Sequence, residues 1–154
     1  MSYNLFLDDF RYPWVSERYR EYYGKDLHGD DYIDMVSAYN YTKWKPFKDK
    51  EWDVVRTYDE FCKYITQNGV PELVAFDHDL GDEHYGAEFD KDAKSKVINY
   101  EDFTEKTGYD CAKWLCDYCK KHNEKFPEYY IHSMSVPGKM NINYYIKNYK
   151  KDNE

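Results

Sequence analysis

The chain has 154 residues, enough for one domain with a real core and too few for two comfortable ones. A formal charge of −8 and a pI near 5.1 argue against tracking a nucleic-acid backbone, duplex DNA above all, by charge alone, although a local basic site on an acidic body stays open. No apolar run approaches membrane-spanning length, and MSYNLFLDDF lacks the basic-then-apolar pattern of a secretory signal, so the expectation is a soluble, cytoplasmic protein with no membrane partner.

In chain order, YNLFLDD predicts a short strand at about Asn4 to Leu7 that ends in Asp8 and Asp9. RYPWV turns the chain, because Pro13 opposes continuation. GDDYIDMVSAYNYTKW places capping aspartates ahead of Ile33, Met35, Val36 and Tyr39, which predicts a first crossover helix. After a surface loop at about Pro46 to Glu51, WDVVRTYDEFCKYITQNGVP reads as a strand at about Asp53 to Thr57 and then a helix. Phe61, Tyr64 and Ile65 form the inward face of that helix, and Asn68-Gly69 with Pro71 stop it.

The third strand, within LVAFDHDLG, is apolar on both faces and runs straight into Asp77, His78 and Asp79. The stretch from 81 to 107 is too long for a simple connection and reads equally as a lid or a disordered insert. GYDCAKWLCDYCKKH is the next helix. YYIHSMS is a fourth strand ending at His132 and Ser133, and MNINYYIKNYKK is a last helix. Strand and helix alternate without internal repeats. The expected fold is a single α/β domain with a mainly parallel sheet of about four strands and no clear fifth strand; if the order is 2-1-3-4, strands one and three are neighbours.

Four cysteines need placing: Cys62, Cys111, Cys116 and Cys119. Cys116, Cys119 and His122 spell CxxCxxH, the spacing of a metal knuckle, but no second CxxC exists. On a helix, Cys111, Leu115 and Cys119 share one apolar stripe, so buried thiols are the expected reading. Nineteen tyrosines raise the aromatic fraction to 20%. Trp14 and the tyrosines near strand ends read first as packing and only second as base-stacking surface.

In an open parallel sheet, ligands bind outside the carboxyl ends of the strands, near the point where strand order reverses. One aspartate after a strand is usually a cap or turn residue. Here strand one ends in Asp8 and Asp9, strand three in Asp77, His78 and Asp79, and strand four in His132 and Ser133, all at one edge. Clustered carboxylates repel one another, so they need a cation or raised pKa values, and oxygen-rich sites suit Mg²⁺ or Mn²⁺. A dication would let an acidic pocket hold a phosphate and activate water against it. His132 then suits general acid or base work with Ser133 as a hydrogen-bonding orienter, while Arg11 and Lys139 are the nearby cations fit to contact phosphate. Gly138 lies where backbone amides can approach an anion, a weak signal alone.

Taken in order, LFLDDFRYP, VVRTYDEF, AFDHDLG, TGYDCAKWL and IHSMSVPGKMN resemble the cyclic-phosphate processing receiver-like domain, a divergent branch of the response-regulator receiver fold. The resemblance touches every predicted strand and implies a three-layer receiver-like (flavodoxin-like) α/β sandwich with the sheet order 2-1-3-4. It implies that Asp8 and Asp9 are the metal-binding acidic pair and that Asp77 is at the receiver's phosphoacceptor position. His78, Asp79, His132 and Ser133 match the branch's own signature. Ordinary receivers end a fifth strand in a phosphoryl-contacting lysine. Here Lys139 is the substitute on offer, and MSVPG replaces the usual Asn-Pro type turn.

Three functions follow as expectations. The first is a metal-dependent phosphoesterase that opens a cyclic phosphate on a nucleotide, a signalling oligonucleotide or an RNA 2′,3′-cyclic end. In it Asp8, Asp9 and Asp77 hold the metal, and His132, Ser133, His78 and Asp79 form the catalytic group. The second is a protein that sequesters a cyclic nucleotide without cleaving it, as in phage interference with host signalling. The third is a phosphoacceptor receiver that uses Asp77.

Overall fold

The structure, a computed structural model, describes residues 2–9, 50–80, 106–133 and 135–154. Four strands form one sheet: β1 (Asn4–Leu7), β2 (Asp53–Val55), β3 (Leu73–Phe76) and β4 (Glu128–Ile131). Every pairing is parallel, as expected from the alternation of strand and helix, and the order is β2-β1-β3-β4. Phe6 aligns with Val54 on one side and with Ala75 on the other, while Phe76 aligns with Ile131. The fold is therefore α/β with the anticipated 2-1-3-4 sheet.

Three described helices connect or follow these strands: α1 (Tyr58–Asn68), α2 (Gly108–Lys121) and α3 (Val136–Asn153). Thr57 caps α1 by accepting from the Glu60 amide, and Gly69 stops it. At φ 86° Gly69 adopts a backbone most side chains avoid, and its N–H closes onto the Ile65 carbonyl at 2.8 Å. A full capping box of Thr107 and Asp110 starts α2. The first crossover helix expected near residues 29–44, and most of the insertion expected at 81–107, lie outside the described residues.

Alternation along the strands sorts the sheet into two faces. Leu5, Leu7, Val55, Val74 and Phe76 join Phe61 and Ile65 of α1, Leu115 and the cysteines of α2, and Ile142 and Ile146 of α3 in one buried cluster. All three described helices thus pack on the same face, with α2 between α1 and α3. Each fully buried Phe, Ile or Leu here contributes about 1.5–3 kcal/mol, so this face carries most of the stability visible in the described residues. The opposite face holds Phe6, Trp52, Val54 and Ala75, which are also buried. Phe6 meets Trp52 edge-on at 5.9 Å.

Three boundaries differ from the sequence expectation. β2 stops at Val55 because Thr57 is committed to capping α1. β4 stops at Ile131, leaving His132 and Ser133 just beyond it. α3 begins at Val136 rather than Met140. Ser135 caps it, and Pro137 is tolerated in the first turn, where no intrahelical partner is required of its missing N–H. Among the described residues there is no fifth strand, and no helix is long and apolar enough to cross a membrane.

Candidate functional site

Backbone hydrogen bonding runs one residue past the strands. The Asp8 amide donates to Val55 at 3.2 Å, Asp77 to Leu7 at 3.0 Å, and His132 to Phe76 at 2.9 Å. Each of the three residues therefore sits level with its neighbours on the carboxyl edge. By alternation their side chains continue the row of Phe6, Ala75 and Tyr130, on the face away from the described helices. The register alone gathers residues that are up to 124 positions apart.

The result is a buried group of two carboxylates and an imidazole. Asp8, Asp77 and His132 are exposed by only 0%, 2% and 1%, and one ligating atom from each lies within 4.8 Å of the others. Nε2 of His132 is 3.0 Å from Oδ2 of Asp8. The imidazole lies flat on Phe6, with centroids 4.4 Å apart and planes at 10°, so an apolar ring fixes its orientation. Two buried carboxylates this close repel one another unless a neighbouring cation, a metal ion or a shared proton offsets the charge. Donors about 2.1 Å from one octahedral ion lie about 3 Å apart when adjacent, so small side-chain adjustments suffice to bring the three onto one cation. The group therefore fits a metal ion, and it is the one such group among the described residues.

Neighbouring turns hold this edge in place. The Asp77 Oδ1 accepts from the His78 amide at 2.9 Å, and the His78 carbonyl accepts from the Gly108 amide at 2.8 Å, which ties the β3 end to the start of α2. A Cβ on Gly108 would stand 1.6 Å from the Asp77 carbonyl oxygen, so only glycine permits that approach. His78 is buried against α3, where a Cβ on Gly138 would lie 2.3 Å from its Cγ. Its Nδ1 is 2.8 Å from Asp79 Oδ1, making a second buried imidazole–carboxylate pair.

The remaining expected site residues fall in different places. Asp9 is partly buried at the bend after Asp8 and stands outside the group of three. Ser133 Oγ accepts from the Ser135 amide at 3.1 Å, and Ser135 Oγ accepts from the Gly138 amide at 3.0 Å, so both hydroxyls shape the turn into α3. Lys139 is exposed in the first turn of α3. Arg11 and Trp14 lie outside the described residues. Sequence reasoning missed Arg56, whose Nη1 donates to the Asp8 carbonyl at 2.9 Å. The available signal was a cation directly after β2, on the edge where the acids gather.

A four-stranded parallel sheet with this acidic carboxyl edge agrees with the comparison of the whole chain. Residues 3–148 match the family described as the cyclic-phosphate processing receiver domain. The chain belongs to this family. No curated protein and no solved structure matches it. In this cyclic-phosphate processing receiver domain the buried Asp8, Asp77 and His132 group lies at the strand ends, apart from the cysteine helix. Cys111, Cys116 and Cys119 are buried thiols of the core; burial pushes Cys116 and Cys119 up to about 12. His122 lies against Tyr118, at 4.2 Å between ring centroids, and the CxxCxxH spacing forms no metal group among the described residues.

Proposed function

We propose that the protein is a metal-dependent phosphoesterase that opens a cyclic phosphate. The observation that carries this reading is the convergence of Asp8, Asp77 and His132, buried together at the carboxyl edge of the sheet. Asp8 and Asp77 would hold the ion. Carboxylate oxygens suit Mg²⁺ or Mn²⁺, and ligation by the imidazole of His132 would shift the preference towards Mn²⁺. Such an ion would supply positive charge to the phosphate oxygens and lower the pKa of water.

The chain's own residues have distinct tasks in this scheme. Asp8 orients His132 through the contact at Oδ2, and Phe6 keeps the ring in plane. His132 then moves one proton, as general acid or base, while one water is consumed. A new P–O bond forms to the water oxygen and the P–O bond to a ribose oxygen breaks, leaving a phosphomonoester and a free hydroxyl. Ser133 retains a hydroxyl proton to donate towards phosphate while its oxygen shapes the turn. His78 and Asp79 support the Asp77 turn from behind.

The spacing of the ligating atoms favours a second reading, in which His132 is itself the third ligand. The variant His132→Gln separates the two. Retained Mn²⁺ binding with lost turnover supports proton transfer, and lost Mn²⁺ binding supports ligation.

The activity test is a panel of 2′,3′-cyclic and 3′,5′-cyclic mononucleotides, cyclic oligonucleotides and cyclic-phosphate-ended RNA, incubated with protein and Mn²⁺ and analysed after denaturation. Linear phosphomonoester product, absent with EDTA, is expected from at least one class. Recovery of every bound compound intact would replace catalysis with sequestration.

A further inference from the structure

We propose that Arg56 is the anion-positioning residue of this site. Its guanidinium fixes the Asp8 peptide and supplies the charge that lets a pair of carboxylates accept a phosphate. This rests on the phosphate-handling reading above and goes beyond it by naming a residue that neither the motifs nor the family match assigned.

Three observations converge on Arg56. It follows β2 directly and so emerges at the same carboxyl edge as Asp8, Asp77 and His132. Its Nη1 reaches across to β1 and donates to the Asp8 carbonyl at 2.9 Å, a contact between residues 48 positions apart. Its backbone is also clamped, because its amide donates to Glu60 Oε2 at 2.7 Å and Glu60 belongs to the capped first turn of α1. A flexible surface arginine would have neither constraint. Lys139, the cation expected from sequence, is by contrast exposed in the first turn of α3, and no hydrogen bond or ion pair joins it to the group.

Charge accounting gives the contact its meaning. Two carboxylates and a dication sum to zero, so a phosphodiester anion arriving there brings an uncompensated negative charge into a buried site. A permanently charged guanidinium at the rim offsets it, and its planar fork of donors suits phosphate oxygens. Nη1 meets Asp8 at its backbone carbonyl, whereas His132 meets the same residue at its carboxylate oxygen Oδ2.

The test uses Arg56→Gln and Arg56→Lys with two probes that require no turnover. Mn²⁺ binding is followed by the EPR signal of the free ion, and inorganic phosphate beside protein-bound Mn²⁺ is followed by ³¹P relaxation. Arg56→Gln is expected to bind Mn²⁺ within about threefold of the parent and phosphate at least about tenfold more weakly, with Arg56→Lys recovering most of the loss. Unchanged phosphate affinity in Arg56→Gln would overturn the proposal. So would a parent protein that holds Mn²⁺ without phosphate approaching it, or loss of Mn²⁺ binding in both variants, which would make Arg56 a support of the fold. If phosphate binding depends on Arg56 but no cyclic phosphate is opened, the inference stands and the phosphoesterase reading fails.

Discussion

Two regions of this molecule invite a metal, and they are built in opposite ways. Cys116, Cys119 and His122 are close in sequence and spaced like ligands, yet helical geometry sends the thiols into the core and leaves the histidine exposed against Tyr118. Asp8, Asp77 and His132 are far apart in sequence, and the register of three parallel strands brings them within 4.8 Å. Local spacing advertises a site only when the secondary structure turns the residues the same way. Repeated strand ends advertise one whenever the sheet is parallel and the residues share a parity.

The largest expected effect is at the strand-end region. Asp77→Asn should lower turnover of a cyclic phosphate by about 10³-fold, because it removes a charge from the site with almost no change in shape. Steady-state kinetics together with a thermal melt check this, the melt showing that the fold persists. The comparison would break if Cys119→Ser produced the same loss of turnover, since the cysteine helix would then belong to the active centre.

Next in size is the support beneath Asp77. Gly108→Ala places a methyl group 1.6 Å from the Asp77 carbonyl oxygen, a clash with backbone that cannot yield without moving α2. A loss of about 3 kcal/mol or more in denaturant unfolding is expected. A milder result would mean that the β3–α2 junction is looser than the hydrogen bond from Gly108 to His78 indicates.

The cysteine region has its own signature in alkaline solution. The folded protein holds Cys116 and Cys119 up at about 12, against an ordinary value of 9.0, because burial disfavours the thiolate. Between these values the unfolded chain has released protons that the folded chain retains. Stability from these groups is therefore complete below about pH 9 and falls as pH rises towards 12. Urea unfolding from pH 8 to 11 should show this decline, and Cys116→Ala with Cys119→Ala should make it shallower, the remainder coming from Cys62 and Cys111, which burial also raises. At neutral pH both thiols should react with a disulfide reagent only as the protein unfolds.

The smallest effect is expected at the α2 cap. Thr107→Ala removes the side chain that accepts from the Asp110 amide and should cost about 1 kcal/mol in chemical unfolding. Turnover should remain close to that of the parent, which would separate support of the helix from support of the site.

Much of this was legible in the residues. The four apolar runs gave the strands, because strands covered on both faces need no partner information to be recognised, and the family resemblance supplied the order 2-1-3-4. The acids at the strand ends were also visible. What the residues did not reveal was which of them converge. Asp8 and Asp9 are equivalent as letters, and only the parity that puts Asp8 on the Phe6 side joins it to His132. Arg56 escaped notice for a related reason: between Val55 and Thr57 it reads as strand, and its contact runs sideways to β1, where no pattern within one segment can show it. The early start of α3 was obscured by Pro137-Gly138, which resembles a break until Ser135 is seen to cap the turn.

The comparison between the two regions is decided most directly by Mn²⁺ titration of four proteins: the parent, Asp8→Asn, Asp77→Asn and Cys119→Ser. The account predicts that the parent and Cys119→Ser bind Mn²⁺ alike and that both aspartate variants lose the site. Binding that survives in Asp8→Asn and Asp77→Asn, or disappears in Cys119→Ser, would contradict it.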